Sequence, residues 1–175
     1  LCLEPKKVNN LPEAQRRVEI WPCLKIGKTK TSRFVITATD PKVLSTICVN
    51  RKEIIGCVDL KHIGIDFCVH PILPIAFVLH PNGSVIAYDH AAALVLGCVC
   101  FEPKAMSICV DPSGIYMAIL KNSNLVSVFE TTTGDIAPPA STGFCARALF
   151  SGSCPGSVVA GGVNGSWNII RFGIE

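Results

Sequence analysis

The stretch Asp111-Pro112-Ser113-Gly114-Ile115-Tyr116-Met117-Ala118-Ile119-Leu120, continued by Lys121-Asn122-Ser123-Asn124 and Leu125-Val126-Ser127-Val128-Phe129-Glu130, decides how this chain is organised. It opens on a turn, because Pro presets φ and Gly supplies positive φ. An apolar run from Ile115 to Leu120 follows. A polar break at Asn122-Ser123-Asn124 then leads into a second alternating run ending at Glu130. Short β-branched runs punctuated by turn residues read as antiparallel strands. Working outward, Ala105 to Val110 is a strand before the turn. The polar link Thr131-Thr132-Thr133-Gly134 leads to a weaker strand near Asp135 to Ala140.

This unit repeats at 41 residues. Asn82-Gly83-Ser84-Val85 returns 82 residues later as Asn164-Gly165-Ser166-Trp167, with Ser123-Asn124-Leu125-Val126 midway. The same shift places Ile75 to Leu79 on Tyr116 to Leu120 and on Ser157 to Gly161. Cys68 maps onto Cys109, and His70-Pro71 onto Asp111-Pro112. Upstream, an offset of 30 places Asp40-Pro41 on His70-Pro71 and Cys57-Val58-Asp59 on Ala87-Tyr88-Asp89. That register leaves the first copy short by one strand and a loop. Asn-Gly in two copies is a strong hairpin signal. Helix is disfavoured by 14 Gly and 12 Pro among short β-branched runs. Leu11 to Glu19 is the one stretch suited to a helical turn, while the place of Ala91 to Leu96 in the repeat argues for strand.

Four short strands per 40–45 residues is the repeat signature of WD40-type β-propellers. Residues 105–134 resemble that family in Asp111-Pro112-Ser113-Gly114, Ala118, Asn124, Val126-x-Val128-Phe129-Glu130 and Thr133-Gly134. The family's Trp-Asp columns read Val58-Asp59, Tyr88-Asp89, Phe129-Glu130 and Ile170-Arg171 here, and its Gly-His dipeptide is absent. One repeat is similar to large multi-propeller signalling scaffolds of this family that bind mitogen-activated protein kinases. The resemblance implies an all-β, partial or truncated WD40-type β-propeller of about four blades. The boundaries are 32–62, 63–103, 104–142 and 143–175, after a basic leading segment 1–31 that could hold a further strand. Propellers run to about four to eight blades, so four degenerate copies imply an incomplete ring and a chain cut from something longer.

Composition narrows the function. The chain is 49% hydrophobic and 17% charged, and its mean hydropathy is +0.44. Global disorder needs the opposite balance. The longest apolar run, Ala91 to Phe101, is about half of the ~20 residues a membrane helix requires. Residues 1–33 carry eight basic and three acidic groups, scattered with no aromatic interleaving beyond Trp21 and Phe34, so a solvated arm is favoured over a nucleic-acid or lipid contact. Of the ten cysteines, Cys48, Cys57, Cys68, Cys98, Cys100 and Cys109 sit in apolar runs and read as buried hydrophobes of a cytoplasmic protein.

No catalytic constellation stands out. His70 and His80 fall in turns at opposite ends of one strand and His90 follows the third strand, so their ten-residue spacing reads as coincidence rather than as a metal site, which needs three or four converging ligands. Gly152-Ser153-Cys154-Pro155-Gly156 has Pro155 where a nucleophile elbow needs a helix start. Gly161-Gly162-Val163-Asn164-Gly165 lacks the Lys-Ser/Thr of a phosphate loop. The chain therefore reads as a non-enzymatic interaction scaffold without cofactor, binding a peptide or protein partner. Alternatives are a surface or nucleic-acid module using the basic segment and, behind it, a catalytic propeller. The loops expected to line one binding face carry Asn50, Arg51, Lys52, His80, Asn82, Lys121, Asn122, Asn124 and Asn164.

Overall fold

The computed structural model describes residues 24–29, 32–40, 42–48, 52–60 and 62–172. The expected helical turn at Leu11 to Glu19 lies outside them. The described residues form four antiparallel sheets and no helix. The first sheet is β1 (Leu24–Thr29), β2 (Ser32–Asp40), β3 (Val43–Cys48) and β4 (Glu53–Asp59). The second is β5 (Asp66–Val69), β6 (Ile75–Leu79), β7 (Ser84–Asp89) and β8 (Leu94–Phe101). The third is β9 (Ala105–Val110), β10 (Tyr116–Lys121), β11 (Leu125–Glu130) and β12 (Ile136–Ser141). The fourth has three strands, β13 (Ala146–Ser151), β14 (Ser157–Gly162) and β15 (Trp167–Arg171). Strands within each sheet follow chain order. The first strands β5, β9 and β13 lie side by side, and β1 lies beside β5.

Residues alternate across a strand, and here both faces of the middle sheets are buried. Ala76 and Val78 of β6 pack with Leu44 and Val58 of the first sheet. Phe77 and Leu79 pack with Met117 and Ile119 of β10. Ala118 and Leu120 turn the other way, toward Leu149 and Val158 of the fourth sheet. Three apolar layers thus separate four sheets, which accounts for the high hydropathy without any membrane-spanning helix. Among the described residues no helix is long and apolar enough to cross a bilayer.

The first sheet corrects the register expected for the first copy. It is complete, with β1 in the first-strand position, and the offset to the second sheet is 41, not 30. Lys52, Ala93 and Gly134 stand 41 apart and share positive φ, at 57°, 56° and 75°. Leu44, Val85 and Val126 are likewise 41 apart, and each lies in the layer shared with the following sheet. Each of these sheets closes with the same bond, from Leu60 N–H to Lys42 C=O (2.7 Å), Glu102 N–H to Gly83 C=O (2.8 Å) and Thr142 N–H to Asn124 C=O (2.9 Å). Asp59 is therefore not the counterpart of Asp89. The residues in the Tyr88-Asp89 columns are Ile47-Cys48, and the first sheet begins at Leu24, inside the segment set apart as a basic arm.

Polar links cross between sheets at the same period. Asp66 Oδ2 accepts the Ser107 hydroxyl at 2.7 Å and the Ile108 N–H at 2.9 Å. Ser107 Oγ in turn accepts the Leu149 N–H at 3.1 Å. The chain runs through β5, β9 and β13, from one first strand to the next. All these groups are buried, so losing the acceptor leaves donors without partners in a dry setting. Asp66→Ala is expected to destabilise the fold by about 2–3 kcal/mol, read as a lowered midpoint in urea with an unchanged slope. An effect no larger than that of an exposed substitution would contradict this linkage.

Candidate functional site

Two sets of connections lie at opposite ends of the sheets. One end carries the hairpins between second and third strands, around Lys42, His80–Gly83, Lys121–Asn124 and Gly162–Gly165, together with the links from one sheet to the next. The other end carries the first-to-second and third-to-fourth connections, including Lys52, His70–Pro74, Asp111–Ile115 and Thr131–Asp135. Lys52 therefore does not share an end with the other residues expected to form one face. It pairs by register with Ala93 and Gly134 instead. Asn50 and Arg51 lie outside the described residues.

At the hairpin end the four asparagines are exposed. Asn82 Oδ1 accepts the backbone N–H of Ser84 at 3.0 Å and its hydroxyl at 2.8 Å. Asn164 Oδ1 makes the same pair of bonds to Ser166, with the N–H at 3.2 Å. Such Asx turns fix the loop and leave the side-chain NH2 facing outward. Asn122 and Ser123 take positive φ, at 52° and 66°, which gives the third hairpin the backbone of a type I′ turn without glycine. Gly83 has a different constraint. Its φ is +91°, and an added Cβ would press on the Glu102 backbone, with the carbonyl carbon at 2.8 Å.

Two expected contact residues are already engaged inside the molecule. Lys121 Nζ lies 2.6 Å from Glu102 Oε1, which ties the third sheet's hairpin to the strand link leaving the second sheet. His80 is 1% exposed, so it is corrected from a surface contact to a structural group. Its Nδ1 lies 3.0 Å from the Ile63 carbonyl and donates to it, anchoring the link between the first two sheets. Its Nε2 is buried with no hydrogen-bond partner. His62 approaches the ring edge-on, with centroids 6.2 Å apart.

The opposite end is held by side chains reaching from one sheet's turn to the next. Asp111 is fully buried. Its Oδ1 accepts the Tyr116 N–H at 3.0 Å, and its Oδ2 accepts the Ser113 hydroxyl at 2.7 Å and the Gly156 N–H of the fourth sheet at 2.8 Å. Burial raises its pKa, but these hydrogen bonds outweigh burial and hold the carboxyl below its ordinary value. His70, one period earlier, packs its ring against Gly114 of the third sheet. Its Nδ1 accepts the N–H groups of Ile72 (3.1 Å) and Leu73 (3.0 Å). The lone pair on Nδ1 is needed for both bonds, so the ring is neutral.

Sequence reasoning expected several cysteines in the core. Cys68 and Cys109 are buried, but Cys57 and Cys98 are exposed. β8 is an outer strand, and its two-residue spacing puts Cys98 at the edge. Burial pushes the half-buried Cys100 thiol up to about 12, with help from Cys98 and Glu102. Among the described residues no three His, Cys, Asp or Glu side chains converge as a metal site. The hairpin end thus offers amide and hydroxyl groups on a rigid support.

No family model matches the chain, and no curated protein matches its sequence. Among solved structures it is similar to the Kuenenia stuttgartiensis hydrazine synthase, with 14% identity and a TM-score of 0.64 over 83% of this chain. The match covers 45% of that neighbour, so the chain spans less than half its length. At this identity the likeness shows the fold alone.

Burial pulls His70, His80 and His90 below the ordinary histidine range. Protonation therefore favours the unfolded chain, whose histidines titrate near 6.5. The stabilisation is complete above that pH and is lost as pH falls through the lower folded values. The melting temperature is expected to fall between pH 7 and pH 5, and His70→Asn is expected to flatten part of that slope. A pH-independent melting temperature across this window would contradict the assignment of neutral rings. Asp111→Asn is expected to cost about 2 kcal/mol at pH 7, because the amide NH2 would face N–H donors. An unchanged urea midpoint would contradict it.

Proposed function

We propose that the four sheets are blades of a partial WD40-type β-propeller acting as a non-enzymatic scaffold for a peptide or protein partner. The observation that carries this reading is the hairpin end, where Asn82, Asn122, Asn124 and Asn164 are exposed on loops fixed by their own hydrogen bonds. Loops held by a rigid scaffold are where binding residues concentrate. Preorganisation lowers the entropy lost on association. The likeness to a larger solved chain supports the stacked-sheet fold, and fold alone does not assign a partner. Exposed amides suit the backbone and polar side chains of a polypeptide. Lys121 contributes by fixing its hairpin through Glu102, and the engaged His80 keeps the link at 60–65 in place. The reading places the protein in the cytoplasm, as its free thiols among the described residues suit a reducing setting.

A photoreactive phenylalanine analogue placed at Asn122 or Asn164 is expected to yield one discrete partner adduct in cells. The same group at Thr132, at the opposite end, is expected to yield none. Adducts from Thr132 alone would overturn the assignment of the hairpin end. Equal unspecific labelling from all three positions would overturn the scaffold reading itself.

A further inference from the structure

The outer edge of the second sheet differs from those of its neighbours. β4, β8 and β12 each stand last in their sheet, with one edge unpaired there. An open edge is a template for another strand, and proteins blunt it with charge, proline or a bulge. β4 begins at Glu53 and ends at Asp59, and β12 carries Pro138-Pro139. From Ala91 to Phe101 the chain holds neither a charged residue nor a proline. Exposure of Val95 does not set β8 apart, since Ile54 and Ile136 in the same column are exposed too. Leu94 does, because one period away the same column holds Glu53 and Asp135. Leu94 is 58% exposed, Leu96 52% and Phe101 61%.

β8 does carry bulges, and their placement is symmetric. Leu94 and Val95 pair with Asp89 and Tyr88, Gly97 and Cys98 with Ala87 and Ile86, and Cys100 and Phe101 with Val85 and Ser84. Leu96 and Val99 are the extra residues at the two register shifts. Both stand at the same distance from the midpoint between Gly97 and Cys98. A bulge bends its strand and interrupts the ladder, so a regular strand laid along β8 would lose register twice. A strand with the same two bends, run antiparallel, meets bend with bend and straight piece with straight piece. β4 and β12 have one register shift each, so among these outer strands β8 matches only itself.

We propose that β8 is a self-association edge, on which β8 of a second copy pairs antiparallel about a twofold axis between Gly97 and Cys98. Leu94 then stands opposite Phe101 of the second copy, Val95 opposite Cys100, Leu96 opposite Val99 and Gly97 opposite Cys98. The two most exposed side chains of the strand, Leu94 and Phe101, cover each other at both ends of the new ladder, where apolar cross-strand pairs are favourable. The same operation on β4 would set Glu53 opposite Asp59 of the second copy, a like-charge pair. On β12 it would set Pro138 opposite Pro139, where neither offers an N–H. The contact is isologous and closes at two copies. It uses the outer rim alone, so it forms alike whatever number of sheets the ring carries, and it leaves the asparagine hairpins free.

The test joins sedimentation velocity of the 175-residue chain at micromolar to hundred-micromolar concentration with amide exchange over the same range. The expected species has twice the 18.7 kDa protomer mass. Amides within 94–101 are expected to gain protection as the dimer forms, because edge N–H groups find acceptors across the twofold, while those of β12 stay unchanged. Leu94→Glu, which gives β8 the acid that β4 has in that column, and Leu96→Lys are each expected to weaken dimerisation at least tenfold with an unchanged circular dichroism spectrum. Ile136→Lys on β12 and Trp167→Glu on the exposed face of the fourth sheet are expected to leave the dimer intact. A folded monomer throughout the range, an open polymer, or a dimer with no added protection at 94–101 would each overturn the proposal. So would a dimer that survives both β8 variants or is lost in Trp167→Glu. Exchange in the unsubstituted chain decides the matter even where a variant fails to fold.

Discussion

One buried carboxylate, Asp66, sets how three of the sheets meet. Its Oδ2 takes the hydroxyl and an adjacent N–H from β9, and the same hydroxyl takes an N–H from β13. First strands packed side by side would otherwise leave these polar groups dry and unpaired, at a cost of about 1–3 kcal/mol each. The link spaces the first strands and fixes their relative register. The apolar layers outside them, Phe77 with Met117 and Leu120 with Val158, can then close without choosing among alternative slips. A one-residue slip would turn each strand's side chains to the wrong face.

The two ends of the sheets divide the remaining work. At one, Asp111 and His70 reach across to Gly156 and Gly114, so that end is spent on holding neighbouring sheets together. At the other, Lys121 to Glu102 and His80 to Ile63 do the holding, which leaves the asparagine tips projecting on a fixed base. Outer strands differ as well. β12 carries Pro138-Pro139, which removes backbone donors from its edge, whereas β8 shows Leu94, Leu96 and Phe101 to solvent.

Most of the strand plan was legible in the sequence because both faces of the middle sheets are buried, so turn residues alone interrupt apolar runs. The period of 41 appeared directly in Asn82-Gly83-Ser84 and Asn164-Gly165-Ser166. The first copy misled for physical reasons. Asp40-Pro41 and Asp59 imitate the turn at His70-Pro71 and the strand end at Asp89, while the true counterparts, Lys42 for Gly83 and Lys52 for Gly134, lack the glycine that marks positive φ. Lys52 and Ala93 adopt that conformation because the third-to-fourth connection requires it, and neither residue type announces it. The site was half legible. Asn82 and Asn164, at the two Asn-Gly tips, are exposed as a hairpin tip suggests, but the burial of His80 depends on the link at 60–65, and the Lys121–Glu102 pair depends on two sheets meeting. Neither contact follows from local pattern.

The central claim is that hydrogen bonds radiating from Asp66 join the second, third and fourth sheets into one cooperative unit. Native-state amide exchange at Ile108 and Leu149 tests it most directly, since these two N–H groups lie in different sheets and end on the same chain of acceptors. The account predicts that both exchange only through global unfolding, with equal protection free energies that fall together in Asp66→Ala. Leu149 exchanging through a separate, much cheaper opening while Ile108 stays fully protected would contradict it.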